Sequence, residues 1–288
     1  MKHLAIFIAT LLFFLPASAS EENSQLNSAL TTQVLIVEAQ IFNRQFSEAF
    51  YSCASLFFED RTFPLDLICR AIVLESVMFD REDFHRQEEL VNLSATIKSK
   101  LVGRKDQTMV WQSLFTGAFW GIVGLNDLRR HSFYTAFKNG YKGLTETKRV
   151  SQRDPENRDV YLGLGIYDYY AAVLSKQLWW FPFALGNRDR GIAELTRAAY
   201  SSVLAKDPAQ LMLAFFYFRE KKYDQATSMA QVLIKKYPGC SMTAILMARI
   251  FIAQGKTPEA MDQLQTVQRM NPANRMAPLL LEKLMLGQ

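Results

Sequence analysis

The side chains best equipped for chemistry in this chain are few and scattered. Asp168, Tyr169, Arg188 and Asp189 bring two carboxylates, a phenol and a guanidinium into one stretch, the raw material of an acid–base site. General acid–base work needs such groups gathered around one reacting atom, and nothing beside them supplies an activated nucleophile. Beyond His3 there are two histidines, His85 and His131, which stand in different predicted helix pairs. No nucleophile elbow, phosphate-binding loop or metalloprotease helix is present. The reading is therefore of no catalytic residue, no metal and no cofactor. Arg188, Asp189 and Arg190 read as a solvated turn, with Asp189 capping a helix that begins near Gly191. Cys53, Cys69 and Cys240 are an odd number and cannot all pair. Cys53 and Cys69 flank the loop around Asp60 and Pro64. Packing as small apolar side chains is the expectation for this pair, with a disulfide between antiparallel helices as the alternative.

The elements that carry these residues begin with an export signal. Lys2 and His3 precede an apolar run from Leu4 to Leu15, then Pro16 and the small residues Ala17, Ser18 and Ala19. That is the pattern of a cleavable secretory signal, with cleavage expected after Ala19 and a periplasmic or secreted product. The run is shorter than the ~20 apolar residues a bilayer span requires, and no cysteine follows it to carry a lipid. The net charge of +5 is a mild excess, and acids and bases alternate through Arg188, Asp189, Arg190 and through Arg219, Glu220, Lys221, Lys222, Asp224. A nucleic-acid partner is disfavoured on that pattern. An apolar fraction of 49% with 21 Phe supports a large core.

An internal period organises the C-terminal third. Ala226 and Ala260 are 34 residues apart, as are Pro238 and Pro272. Ala214 and Ala248 fall where a first helix would meet Ala226 and Ala260 of a second, small residues let the two backbones approach, and the proline ends the second helix. Leu213 with Tyr217, and Met247 with Phe251, continue the apolar stripe. These residues resemble the tetratricopeptide repeat over 207–272. Upstream the likeness continues in Asp154-Pro155 followed by Tyr161, Leu164 and Gly165, and in Phe46, Ser47, Glu48, Ala49 and Cys53, a second helix whose first runs from Leu30 to Asn43. Longer helices are expected over 65–79, 81–100, 106–125 and 133–150. Gly117, Gly121 and Gly124 form a ladder in one of them, and Ala136, Gly140 and Gly143 in the next, which predicts unusually close packing of the two. The fold class is all-α, a right-handed superhelix of antiparallel helix pairs: signal peptide 1–19, helical pairs 20–105, a divergent middle 106–206, and two regular units with a C-terminal helix over 207–288.

The middle runs from Tyr161-Leu-Gly-Leu-Gly-Ile-Tyr-Asp-Tyr-Tyr170 through Leu178, Trp179, Trp180, Phe181, Pro182 and Phe183 to Gly186-Asn-Arg-Asp-Arg-Gly191. It is similar to a broad group of bacterial envelope tetratricopeptide proteins of undefined function, with Asn187 standing where that group suggests aspartate. The resemblance implies an interaction scaffold. First helices of such a superhelix line its concave face, which places Leu162, Ile166, Tyr169 and Tyr170, then Leu211, Phe215, Phe218 and Arg219, then Ile245, Arg249 and Ile252 in one apolar groove with two arginines. The expected occupant is a protein or peptide from the envelope with apolar anchors and acidic groups. The alternative is a carrier or transporter accessory protein that holds a small apolar or anionic molecule in a cavity near Tyr169 and Trp180. The aromatic segment Trp179, Trp180, Phe181 and Phe183 is read as core filling, with partner binding or peripheral membrane contact as its alternatives.

Overall fold

A computed structural model describes residues 28–56, 63–102, 109–174 and 186–286. The expected signal peptide and the aromatic segment Trp179 to Phe183 lie outside these described residues. The rest is helical, with no strand among the described residues. The helices fall into consecutive hairpins: α1 (Ser28–Phe42) with α2 (Phe46–Ala54), α3 (Leu65–Arg81) with α4 (Gln87–Leu101), and α5 (Val110–Arg129) with α6 (Phe133–Arg153). They continue as α7 (Val160–Leu174) with α8 (Arg188–Ser201), α9 (Lys206–Arg219) with α10 (Tyr223–Lys236), and α11 (Ser241–Ala253) with α12 (Thr257–Met270). A last helix, α13 (Met276–Met285), packs on α12.

One turn geometry recurs between first and second helices. Arg44, Glu82, His131, Lys221 and Gly255 all take positive φ, between 49° and 72°. Each closes its helix with the same pair of bonds, as at Lys221, whose N–H donates to Phe218 O at 3.0 Å while Lys222 N–H reaches Tyr217 O at 2.8 Å. That is the Schellman closure, which glycine fills most easily; four of the five positions here do without glycine. Counting seven residues back from each turn gives Val37, Glu75, Gly124, Ala214 and Ala248, and five forward gives Ala49, Ala136, Ala226 and Ala260 in four of the units. The pair α5/α6, expected as part of a divergent middle, therefore shares the phase of the regular repeats. The expected helix over 81–100 begins instead at Gln87, because Glu82 turns left-handed and closes α3. The helix expected over 106–125 runs from Val110 to Arg129.

Close crossing follows from the glycines. A Cβ on Gly124 would lie 3.1 Å from Ala136 O and 3.2 Å from Gly140 N, and one on Gly143 would lie 3.0 Å from Gly117 O. The α5–α6 backbones thus meet along the ladder foreseen in the sequence. Gly165 of α7 and Gly191 of α8 repeat the device, each barring a Cβ at 2.7 Å from the other's carbonyl. Between units, Asp159 Oδ1 accepts the amides of Val203, Leu204 and Ala205 at 2.8 to 3.0 Å and so anchors the lead into α9 at the start of α7.

From α3 onward the first helices make a closed circuit. Helix α3 touches α5, α5 touches α7, α7 touches α9, α9 touches α11, and α11 touches α3 again. One apolar cluster accordingly joins Leu30, Phe42, Cys53, Leu74 and Phe119 to Leu233, Tyr237, Cys240 and Met242, so the N-terminal pairs and the C-terminal units share a core. Phe42 stacks on Tyr237 with ring centroids 4.8 Å apart. A buried polar hub sits at the closure. Asp80, fully buried, receives Arg44 Nε at 3.1 Å and Asn271 Nδ2 at 2.9 Å on its carboxylate, with Ser241 Oγ donating as well. Its carbonyl accepts from the side-chain amides of Asn271 and Asn274, both at 2.8 Å. Nearby, Arg249 pairs with Glu82 at 2.8 Å and Arg275 with Asp83 at 2.9 Å.

Candidate interaction surface

The groove residues separate into three groups. Tyr169 is 1% exposed and Ile245 3% exposed, so both belong to the core and present no face to a partner. Tyr169 lies flat on Phe216 at 3.7 Å and ends in a hydrogen bond from its hydroxyl to Glu220 Oε1 at 2.8 Å. Burial, then that carboxylate, pushes its hydroxyl up to about 12. Leu211 is half-buried against the cluster that contains the N-terminal helices, and Arg249 is committed to Glu82. The closure of α11 on α3 explains both, since the chain's own N-terminal pairs stand where the open end of the groove was expected.

The third group remains available. Tyr170, Phe215 and Phe218 are half-buried, and Arg219 is exposed at the end of α9. Burial raises the Tyr170 hydroxyl, while Arg219 and Arg129 face it and pull the other way. Arg129 is held by a bidentate pair with Glu75, both bonds 2.6 Å, and lies over the rings of Phe79 and Phe84. Arg219 has no carboxylate within ion-pair reach among the described residues. The result is a ledge of three aromatic rings with one uncommitted guanidinium, built on the first helices of adjoining units. Leu162, Ile166 and Ile252 are half-buried as well.

The acid–base residues are brought together, though not as foreseen. Arg190 reaches back to Asp168, with Nη2 on Oδ1 at 2.7 Å and Nε on Oδ2, and Asp168 is 6% exposed. The stretch Arg188 to Arg190 is thus the first turn of α8 and half of it is structural. Asn187, not Asp189, caps the helix: its side-chain oxygen accepts Arg190 N–H at 2.9 Å, a role asparagine fills as well as aspartate. Arg188 shares Glu220 Oε1 with Tyr169 at 3.2 Å. Burial, then the neighbouring Asp168, raises Glu194 to about 7. Asp168, Tyr169, Arg188 and Arg190 are thus each paired with another group, and the cluster ties α7, α8 and the end of α9 together. Cys53, Cys69 and Cys240 are buried free thiols. The neighbouring Cys53 thiol, together with burial, raises the Cys69 thiol well above the ordinary range.

A second constellation escaped the sequence reading. Lys142 of α6 places its Nζ 3.9 Å from the centroid of the Trp120 ring of α5, and Lys98 of α4 comes to 5.5 Å of the same ring. Its only sequence signal is the set of bases along α6, which interleaving elsewhere in the chain obscures.

Comparison with known proteins bears on the unit that carries the ledge. A family model described as the tetratricopeptide repeat matches residues 208–239, which span most of α9, α10 and the proline that follows. No curated protein matches the chain. Repeats of this kind characteristically serve as protein-interaction scaffolds rather than as enzymes. The 34-residue spacing of Ala226 and Ala260, the recurring left-handed turn, the helix hairpins and the matched unit converge: the chain is a tetratricopeptide-type helical repeat protein.

Proposed function

We propose that the protein is an exported scaffold of the bacterial cell envelope that captures a segment of a partner protein on the ledge formed by Tyr170, Phe215, Phe218 and Arg219. The single observation that carries this reading is Arg219, an exposed guanidinium without an ion-pair partner among the described residues, set beside half-buried aromatic rings on the repeat unit itself. Aromatic and arginine side chains in that arrangement are the usual anchors of protein interfaces. The partner segment would bring an apolar side chain to the rings and a carboxylate to Arg219. The export signal read in residues 1–19 supports the location.

Crosslinking in the native envelope identifies the partner, and substitution then tests the ledge. Phe215→Ala and Arg219→Ala should each weaken capture by about thirtyfold, the equivalent of about 2 kcal/mol for an interface anchor. Ala226→Leu is the control, because Ala226 is fully buried at the α9–α10 crossing, and overpacking there should cost about 1–3 kcal/mol of stability. Unchanged capture by both ledge variants, or melting by Phe215→Ala as severe as by Ala226→Leu, would place the binding surface elsewhere.

A further inference from the structure

Almost all of the chain's excess positive charge sits on one helix. The chain carries a net +5, and α6 alone holds Lys138, Lys142, Lys148, Arg149 and Arg153 against the single acid Glu146. Glu146 is engaged by Arg149 at 2.6 Å. Lys138 and Lys142 are one helical turn apart on the outer side of α6, with Tyr134 and Tyr141, 54% and 51% exposed, on the same stripe. From α4, Lys98 enters the same place. Lys142 and Lys98 both approach the half-buried Trp120 ring, at 3.9 and 5.5 Å. No carboxylate reaches Lys98, Lys138 or Lys142 among the described residues. Burial, with Lys138 and Lys98 adding repulsion, lowers the Lys142 ammonium from its ordinary value. Two ammonium groups over one indole, with the charge of Lys138 acting on Lys142 beside them, are held at a cost, and that cost is relieved when an anion comes between them.

We propose that this face of α4 and α6, centred on Trp120, is a second docking surface, for an acidic segment of a protein partner. The choice of a protein rests on the scaffold reading above; the site itself does not involve the ledge. Charge complementarity supplies the attraction, and the ammonium-capped indole with the two tyrosines supplies adhesive area for side chains between the acids. A bilayer contact fits less well. The indole that would have to insert is roofed by two ammonium groups.

The test is fluorescence anisotropy of the mature protein with a short labelled peptide rich in Glu and containing two leucines, run beside single-stranded oligothymidylate of equal charge and vesicles containing phosphatidylglycerol. The peptide is expected to bind, and to weaken as salt rises through the range in which the screening length falls below about 10 Å. Lys98→Glu with Lys142→Glu should reduce affinity by at least about tenfold, whereas Lys98→Arg with Lys142→Arg should preserve it. Unchanged thermal unfolding of these surface variants establishes that they fold. Phe215→Ala and Arg219→Ala should leave this binding intact, so failure of the ledge and failure of this face give different results. No peptide binding, equal binding by the charge-reversed variant, or tighter binding of the oligonucleotide or the vesicles would overturn the proposal.

Discussion

Asp80→Asn should cost far more than its conservative character suggests, because the carboxylate holds the two ends of the repeat array together. Its oxygens accept from Arg44 of the first turn, Ser241 of α11 and Asn271 beyond α12, and the side chain has no access to water. Breaking a buried ion pair by removing one partner typically costs about 3–5 kcal/mol. Arg44 retains 22% side-chain exposure and can be partly rehydrated, which puts the expectation near the lower end, at about 3 kcal/mol. Whichever way the new amide is turned, it also points a donor at Arg44 Nε, which bonds both carboxylate oxygens. Urea unfolding measures the loss, and native-state hydrogen exchange locates it. An open solenoid unfolds with end units fraying independently, since each repeat contacts only its neighbours. In the closed circuit, the last turn of α3 and the first turn of α11 should exchange with similar free energies. Asp80→Asn should lower both and separate the exchange of α1–α2 from that of α12. A loss below about 1 kcal/mol, or slow exchange that persists at both ends, would refute the idea that this hub closes the circuit.

Two further outcomes follow from the geometry. Glu38 of α1 faces Asp207 of α9, with Lys236 of α10, Tyr237 just after it and Asp159 close by, and burial, then Asp207, raises it from 4.5 to about 9. The folded chain therefore holds a proton there that the unfolded chain loses above about pH 4.5, so stability should fall as pH rises from about 5 toward 9. The group is half-buried and screened by water, which reduces the effect to about 1–2 kcal/mol between pH 5 and 8; Glu38→Gln should abolish that slope and stabilise at pH 8, and equal pH profiles by thermal unfolding would count against it. The glycines of α5 should split in sign. Gly124→Ala must push against Ala136 O and Gly140 N and should destabilise by about 1–3 kcal/mol, while Gly121→Ala meets nothing within 4 Å and should stabilise by up to about 1 kcal/mol through helix propensity; thermal melts with the same sign for both would contradict the crossing described here.

What could be read from the residues is what local sterics dictate. Two helices that cross closely need small side chains, so Ala214 with Ala226 and Ala248 with Ala260 reveal their units at once. The same logic flagged the glycine ladders, and the structure adds a signal that was overlooked: an aromatic three residues before the alanine, in Phe46 and Ala49, Phe133 and Ala136, and Tyr223 and Ala226. The turns hid the register of the other units, since Arg44, Glu82, His131 and Lys221 occupy a conformation that glycine usually announces. Glu82 in particular sits in a run of helix-favouring charges and so passed as helix interior. The circuit closure was not legible at all, because Asp80 and Asn271 are 191 residues apart and each, taken alone, resembles a solvated residue at a helix end. Only the fold shows that these polar residues point inward.

That closure also changes what the repeats can bind. An open superhelix offers its whole concave face, whereas here Leu211, Ile245 and Arg249 are taken up by packing and by Glu82, leaving the rings and guanidinium at the end of α9. Charge follows the same division. The arginines of the inner side are largely matched, Arg129 by Glu75 and Arg249 by Glu82, while the lysines of α6 and α4 are matched by nothing among the described residues. With part of the inner face taken up by the array's own ends, the charge left unmatched lies on the second helices, where the lysines of α4 and α6 surround Trp120.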